Sequence, residues 1–350
     1  IGDVLLITPL FSNLKAYYKE AQIDVAVNRN TESMITLNPN LHKVIIYERS
    51  LLKKSFLIAK IWKELKFFFS FRKENYDMVI NLTKGDRGTI ISWLTKAQVR
   101  IGYLNRNRFI KDIYTHNLPE QKLRHTVESN IDPLRLLNIP IKDKKVEVFW
   151  SKDDEKFVQK ELADINEFIH IHPVSRWLFK CIADSIMAQI IDFCESELGS
   201  KVLITASAEK FEIDKVNKIL NYCKSNPVNL AGKFSLSQVA ALNKNSKLFI
   251  GVDTAIMHIS ASNNIPVLAF FGPSGADHWG PWDNNLMESG YTKRNGFQTM
   301  GRHRVFAESR ECQPCGQDGC DGTKISDCLM TMDIDLIKRN IQEMHCEQDN

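Results

Sequence analysis

The sequence predicts an α/β protein of two Rossmann-like domains facing a cleft, and three observations predict it. Short apolar runs alternate with stretches of helical periodicity, which implies parallel sheets joined by crossover helices. The 350 residues, 43% hydrophobic and 25% charged, supply enough material for two ordinary cores. The pattern breaks between Asn138 and Asp153, where Pro140 and the charged run Lys142 to Lys145 intervene, so the domains are expected at 1–147 and 148–350.

The elements follow in order. Gly2 permits a sharp turn and Pro9 suits the opening of a helix over 9–20. Strands are expected at Ile23 to Val27 and Val44 to Tyr47, then a long helix from Leu51 to Lys73, a strand at Met78 to Leu82 and a helix from about Thr89. The strand that should precede Gly2 is not present, so the first sheet is expected to lack its central strand. In the second domain, strands at Phe168 to His172, Val202 to Thr205, Leu248 to Val252 and Pro266 to Phe271 alternate with helical patterns near 184–198, 209–223 and 235–245. Asp333-Ile334-Asp335 opens a C-terminal helix and reads as a cap.

Charge divides the chain. Residues 1–150 hold 25 Lys+Arg against 15 Asp+Glu, while the whole chain is only +4, so the remainder is acidic. The basic half suits an anionic acceptor or a membrane surface, and the acidic half argues against a nucleic-acid-binding protein. No run approaches the roughly 18 apolar residues of a membrane span, and no signal peptide precedes the first element, which implies a cytoplasmic protein. The chain starts without methionine, so a targeting signal ahead of Ile1 is left open. A dehydrogenase is disfavoured, because no Gly-x-Gly-x-x-Gly follows any strand.

Three turns carry candidate chemistry. In the segment 247–275 a strand ends on Asp253 and Thr254, and Met257, His258 and Ala261 continue at helical spacing towards a second strand and the turn Phe271-Gly272-Pro273. A helix N-terminus there favours a phosphate, although Asp-Thr also suits plain capping. In Ile169-His170-Ile171-His172-Pro173-Val174-Ser175-Arg176-Trp177-Leu178-Phe179-Lys180, the residues Ser175, Arg176 and Lys180 can meet one anion, or else form a basic surface loop; the helix that follows is expected to be capped by Asp184 or Ser185. Asp3, at the edge of the first domain, suits either a general base or a helix cap.

Two further segments stand out. The stretch Leu51 to Lys73 mixes Leu, Ile, Phe and Trp with Lys53, Lys54, Lys60, Lys63, Lys66, Lys73 and Arg72, as in a helix lying on an anionic membrane face or a packed helix with a solvated basic side. Of the eight cysteines, Cys181, Cys194 and Cys223 are scattered. Cys312, Cys315, Cys320 and Cys328 lie in a Gly- and Asp-rich loop, 310–330, at spacings that suit a structural zinc, a disulfide pair or four free thiols.

The segments GDVLLITPLFSNLK, HPVSRWLFK, LAGKFSLSQVAALNKNSKLFIGVDTAIMHISA and PVLAFFGPSGADHWGPW together resemble the lipopolysaccharide heptosyltransferases of glycosyltransferase family 9, over nearly the whole chain and in the family's order. Trp177 to Cys181 and Ala255, where many members have glycine, look most like the heptosyltransferase III branch. The resemblance implies a GT-B fold, an ADP-L-glycero-D-manno-heptose donor held mainly by the second domain, a lipopolysaccharide core acceptor held mainly by the first, and inverting transfer. Asp3 matches the catalytic aspartate; Lys180, with Ser175 beside it, matches the lysine that neutralises the diphosphate. Asp253, Thr254 and Ala255 match the helix-end motif, His258 the histidine one turn later, and Glu209, less closely, a ribose-binding acid. A lysine and a helix end can stabilise departing ADP without a metal, so no catalytic cofactor is expected. A related transferase with another donor or acceptor, or a non-catalytic nucleotide-binding protein, keeps the same motifs.

Overall fold

The computed structural model describes residues 1–48, 57–104, 112–119, 124–163 and 165–347. The chain forms two compact units, one of residues 9–32 and 39–143, the other of 1–8, 33–38 and 144–350. The long cut falls close to the charged run read from the sequence. The division is not a single cut, however, because two N-terminal stretches join the larger unit. Both are apolar and closed off from water: Leu5 and Leu6, and Met34 and Ile35, are at most 1% exposed. Glu147 N donates to Thr8 Oγ1 at 3.0 Å, fixing the first stretch to the segment that enters the larger unit.

The smaller unit carries two parallel sheets. One pairs β1 (Asp24–Asn28) with β2 (Lys43–Tyr47); the other runs β3 (Met78–Asn81), β4 (Val99–Tyr103), β5 (His116–Leu118). The helix Leu57–Lys73 is tied to β2 by Tyr47 Oη donating to Glu64 Oε1 at 2.9 Å, and by Phe67, whose ring lies 4.9 Å from Tyr47 and 5.1 Å from Phe71. The first six residues of the expected Leu51 to Lys73 helix lie outside the described residues. Its outer face is apolar and open: Ile61, Trp62, Leu65 and Phe69 are exposed, Trp62 by 71%.

The larger unit is built on a seven-stranded sheet in the order β11-β12-β10-β9-β6-β7-β8. The strands are β6 (Ile169–His172), β7 (Val202–Ile204), β8 (Val228–Asn229), β9 (Leu248–Val252), β10 (Val267–Phe270), β11 (Gln298–Met300) and β12 (His303–Phe306). All pair parallel except β11 with β12. Every residue of β6, β7, β9 and β10 is buried, as expected of parallel strands covered on both faces. Side chains alternate between two cores: Ile169, Ile171, Val202 and Ile204 enter one, Phe168 and Leu203 the other. The chain lays β6, β7 and β8 in one direction, then returns to place β9 and β10 on the other side of β6. The direction therefore reverses between β6 and β9, and such a switch leaves a crevice at the carboxyl ends of those two strands.

Candidate active site

The two turns that the sequence offers as candidate anion sites leave the carboxyl ends of β6 and β9, the neighbours at the switch point. After β6 the chain passes Ser175, 6% exposed, whose Oγ accepts from Trp177 N at 3.2 Å, and enters a short 3-10 turn, Leu178–Lys180. Trp177 is half exposed under the Arg176 guanidinium, 5.5 Å from the ring centre. After β9 come Asp253 and the helix Ala255–Ser262. Lys180 Nζ crosses to Asp253 Oδ2 at 2.6 Å, although 73 residues separate them.

Neither Asp253 nor Thr254 acts as the helix cap that their positions allow. Thr254 occupies the N-cap, yet its side chain accepts no capping bond and its buried Oγ1 has no partner. Asp253, 7% exposed, is instead bonded to Lys180 and to Ser274, whose Oγ donates to the same Oδ2 at 2.5 Å. The N–H groups of the first turn are thus left for another acceptor, the arrangement that binds a phosphate. Ala255, the first helical residue, is partly exposed. Ser274, in the turn after β10, is the participant that sequence reasoning passed over; the signal available was its place in the Phe271 to Gly275 turn at the same sheet edge.

His258 lies one turn into that helix, 4% exposed, with a buried Nδ1 that has no hydrogen-bond partner. Burial holds its imidazole down at about 4, with Asp253 and Asp3 opposing the shift and Lys180 adding to it. The ring is therefore neutral at pH 7 and within electrostatic reach of Asp3. Asp3 is exposed in the short helix Gly2–Leu5, which packs on the helix bearing His258. A β-carbon on Gly2 would lie 2.9 Å from His258 Cδ2. Glycine is needed here for this close approach, a different reason from the sharp turn that the sequence suggested. Glu209 is exposed at the N-cap of the helix Lys210–Leu220, in the loop that follows β7.

Other expectations resolve differently. Ala183, not Asp184 or Ser185, stands at the N-cap of the helix Asp184–Asp192, and Asp184 pairs with Lys215 instead. Asp333 does cap its helix, its Oδ1 accepting from Asp335 N and Leu336 N at 3.0 Å each. Among the described residues no three His, Cys, Asp or Glu side chains gather as a metal would require. Cys312, Cys315, Cys320 and Cys328 are free thiols; Cys328 is turned into the large apolar core while Cys312 and Cys315 face solvent. Cys315 and Cys320 nevertheless lie within electrostatic reach of the Cys328 thiol, whose titration burial pushes up to about 11.

Two Rossmann-like units, one with Lys180, Asp253 and an uncapped helix end gathered at its switch point, define a GT-B glycosyltransferase fold. The chain belongs to glycosyltransferase family 9, the heptosyltransferases, whose family model matches residues 64–306. It is 31% identical to an Escherichia coli lipopolysaccharide heptosyltransferase 3 over 82% of this chain and 85% of that one. Its fold is similar to that of a family 9 glycosyltransferase from Veillonella parvula (TM-score 0.78, 19% identity, 99% and 94% of the two chains). It is also similar to E. coli heptosyltransferase WaaC solved with ADP (TM-score 0.71, 16% identity, 98% and 96%).

Proposed function

We propose that the protein transfers heptose from ADP-L-glycero-D-manno-heptose to the inner core of lipopolysaccharide, with inversion at the transferred carbon. The observation that carries this reading is the meeting of Lys180, Asp253 and the open helix end at Thr254 across one switch point, with Asp3 beside His258. Family membership supplies the donor and acceptor class.

In the proposed reaction the Asp3 carboxylate takes the proton of the acceptor hydroxyl as its oxygen attacks the anomeric carbon of the donor. The bond from that carbon to the diphosphate breaks, and ADP departs. Negative charge growing on the departing phosphate meets the Lys180 ammonium and the first-turn N–H groups beyond Thr254, so these residues supply the stabilisation without a metal. Asp253, itself bonded by Ser274, holds Lys180 in place, and Ser175 is assigned with it to the diphosphate. The neutral His258 offers Nδ1 to the substrate, and Glu209 is assigned to the ribose. The zinc suggested by the cysteine spacing has no part in this scheme.

We propose in addition that the protein works at the cytoplasmic face of the inner membrane, where a lipid-linked acceptor would be met. Among the described residues no helix is long and apolar enough to cross a membrane. The exposed Ile61, Trp62, Leu65 and Phe69, with Lys63, Lys66, Arg72 and Lys73 on the same helix, suit a peripheral contact with anionic lipid. The test of the function is incubation with ADP-heptose and truncated core acceptors in excess chelator, followed by mass and linkage analysis. One added heptose per acceptor is expected, at a rate the chelator does not change; transfer only from other nucleotide sugars would refute the assignment.

A further inference from the structure

The Cys-rich loop makes one set of contacts that the proposed reaction does not use. Gln313, 1% exposed, donates both protons of its side-chain amide to consecutive carbonyls of the turn after β10, Phe271 O at 3.1 Å and Gly272 O at 2.9 Å. Gly316 N donates to the next carbonyl, Pro273 O, at 2.9 Å. The residue that follows is Ser274, whose hydroxyl holds Asp253. Further along the same loop, Ser326 Oγ, also 1% exposed, donates to Phe179 O at 2.7 Å, one residue before Lys180. Ala183 N, just past that turn, donates to Leu329 O at 3.1 Å. The fit is close: a β-carbon on Gly272 would lie 2.6 Å from Leu329 Cδ1.

One loop thus grips both turns whose side chains meet at Asp253. We propose that residues 312–329 form a positioning strap for the donor site, in which Gln313 fixes the turn bearing Ser274 and Ser326 fixes the turn bearing Lys180. Neither residue touches the phosphate. Each satisfies buried carbonyls that would otherwise drift towards another donor, and a shift of either turn lengthens the Lys180–Asp253 contact or swings the ammonium away from the helix end.

This inference rests on the donor-site reading, and the experiment keeps the two apart. Gln313→Met, similar in shape but without donors, and Ser326→Ala are compared with wild type by amide hydrogen exchange and by ADP titration. The strap predicts faster exchange at residues 272–275 and 179–181 respectively, and ADP binding about tenfold weaker in each folded variant. It also predicts that Gln313→Met combined with Ser274→Ala is no weaker than the worse single variant, because both act through Asp253. Exchange unchanged in those turns, ADP affinity within about twofold of wild type, or fully multiplicative effects in the double variant would each overturn it. Wild-type protein that binds no ADP would instead refute the proposed function, and the exchange comparison would still decide whether the loop fixes the two turns. If Gln313→Met fails to fold, Ser326→Ala carries the same two readouts.

Discussion

At the scale of single residues the site turns on one carboxylate oxygen. Asp253 Oδ2 accepts from an ammonium at 2.6 Å and a hydroxyl at 2.5 Å, in a position almost closed to water. Charge-assisted bonds of this kind are about twice as strong as neutral ones, and removing the cation leaves a carboxylate whose desolvation is no longer offset. Lys180→Ala is therefore expected to lower kcat/KM by about a hundredfold or more, and to cost about 1–3 kcal/mol of stability, read from steady-state rates and thermal melts. Thr254→Ala gives the contrasting result. Its Oγ1 has no partner, so stability should stay within about 0.5 kcal/mol while ADP binding weakens. These residues were legible in the sequence because Asp-Thr between an apolar run and a helical pattern marks a helix N-terminus. Their non-capping arrangement was not, since it depends on Ser274 and Lys180, brought in by tertiary structure from 21 and 73 residues away.

At the scale of elements, legibility followed burial. The strands β6, β7, β9 and β10 are unbroken apolar runs because both faces of the sheet are covered, and such runs can be found without knowing what covers them. The antiparallel pair β11 and β12 escaped notice: its strands are three and four residues long and carry Gln, Thr, His and Arg. Its tight connection needs Gly301, at φ 55°, where a β-carbon would lie 2.0 Å from Asp283 Oδ2. The Gly2–Leu5 helix was hidden for a similar reason, being too short to show a period. The helix Leu57–Lys73 was visible by composition, and the structure sharpens its test. Phe67 is engaged with Tyr47 and Phe71, so removing it would disturb the packing, whereas Trp62 and Phe69 are open. Trp62→Ser with Phe69→Ser is expected to reduce sedimentation with phosphatidylglycerol vesicles several-fold without lowering the melting temperature. Equal sedimentation of variant and wild type would refute the membrane contact.

At the scale of the whole molecule, the first eight residues are the most informative departure from the sequence reading. Asp3 was read as part of the first domain, yet its segment packs with the larger unit, on the helix that carries His258. Sequence order alone could not reveal this, because Leu5 and Leu6 are equally at home in either core. The larger unit also carries buried histidines. Burial holds His172 and His258 at about 4 and lowers His170 and His303 as well, so all four are neutral when folded at pH 7. The unfolded chain binds protons at these groups near pH 6.5, so the folded state gains stability from them above that pH and loses it as the pH falls towards 4. Denaturant midpoints should decline through that window; constant midpoints from pH 7 to 5 would contradict the assignment. The central claim is that Asp3, held against the donor helix, is the base of the transfer. Its most direct measurement compares Asp3→Asn with wild type for ADP affinity and for heptose transfer to a truncated core acceptor. ADP affinity is expected to stay within about twofold while transfer falls by roughly a hundredfold or more; transfer at the wild-type rate by the Asn variant would refute Asp3 as the base.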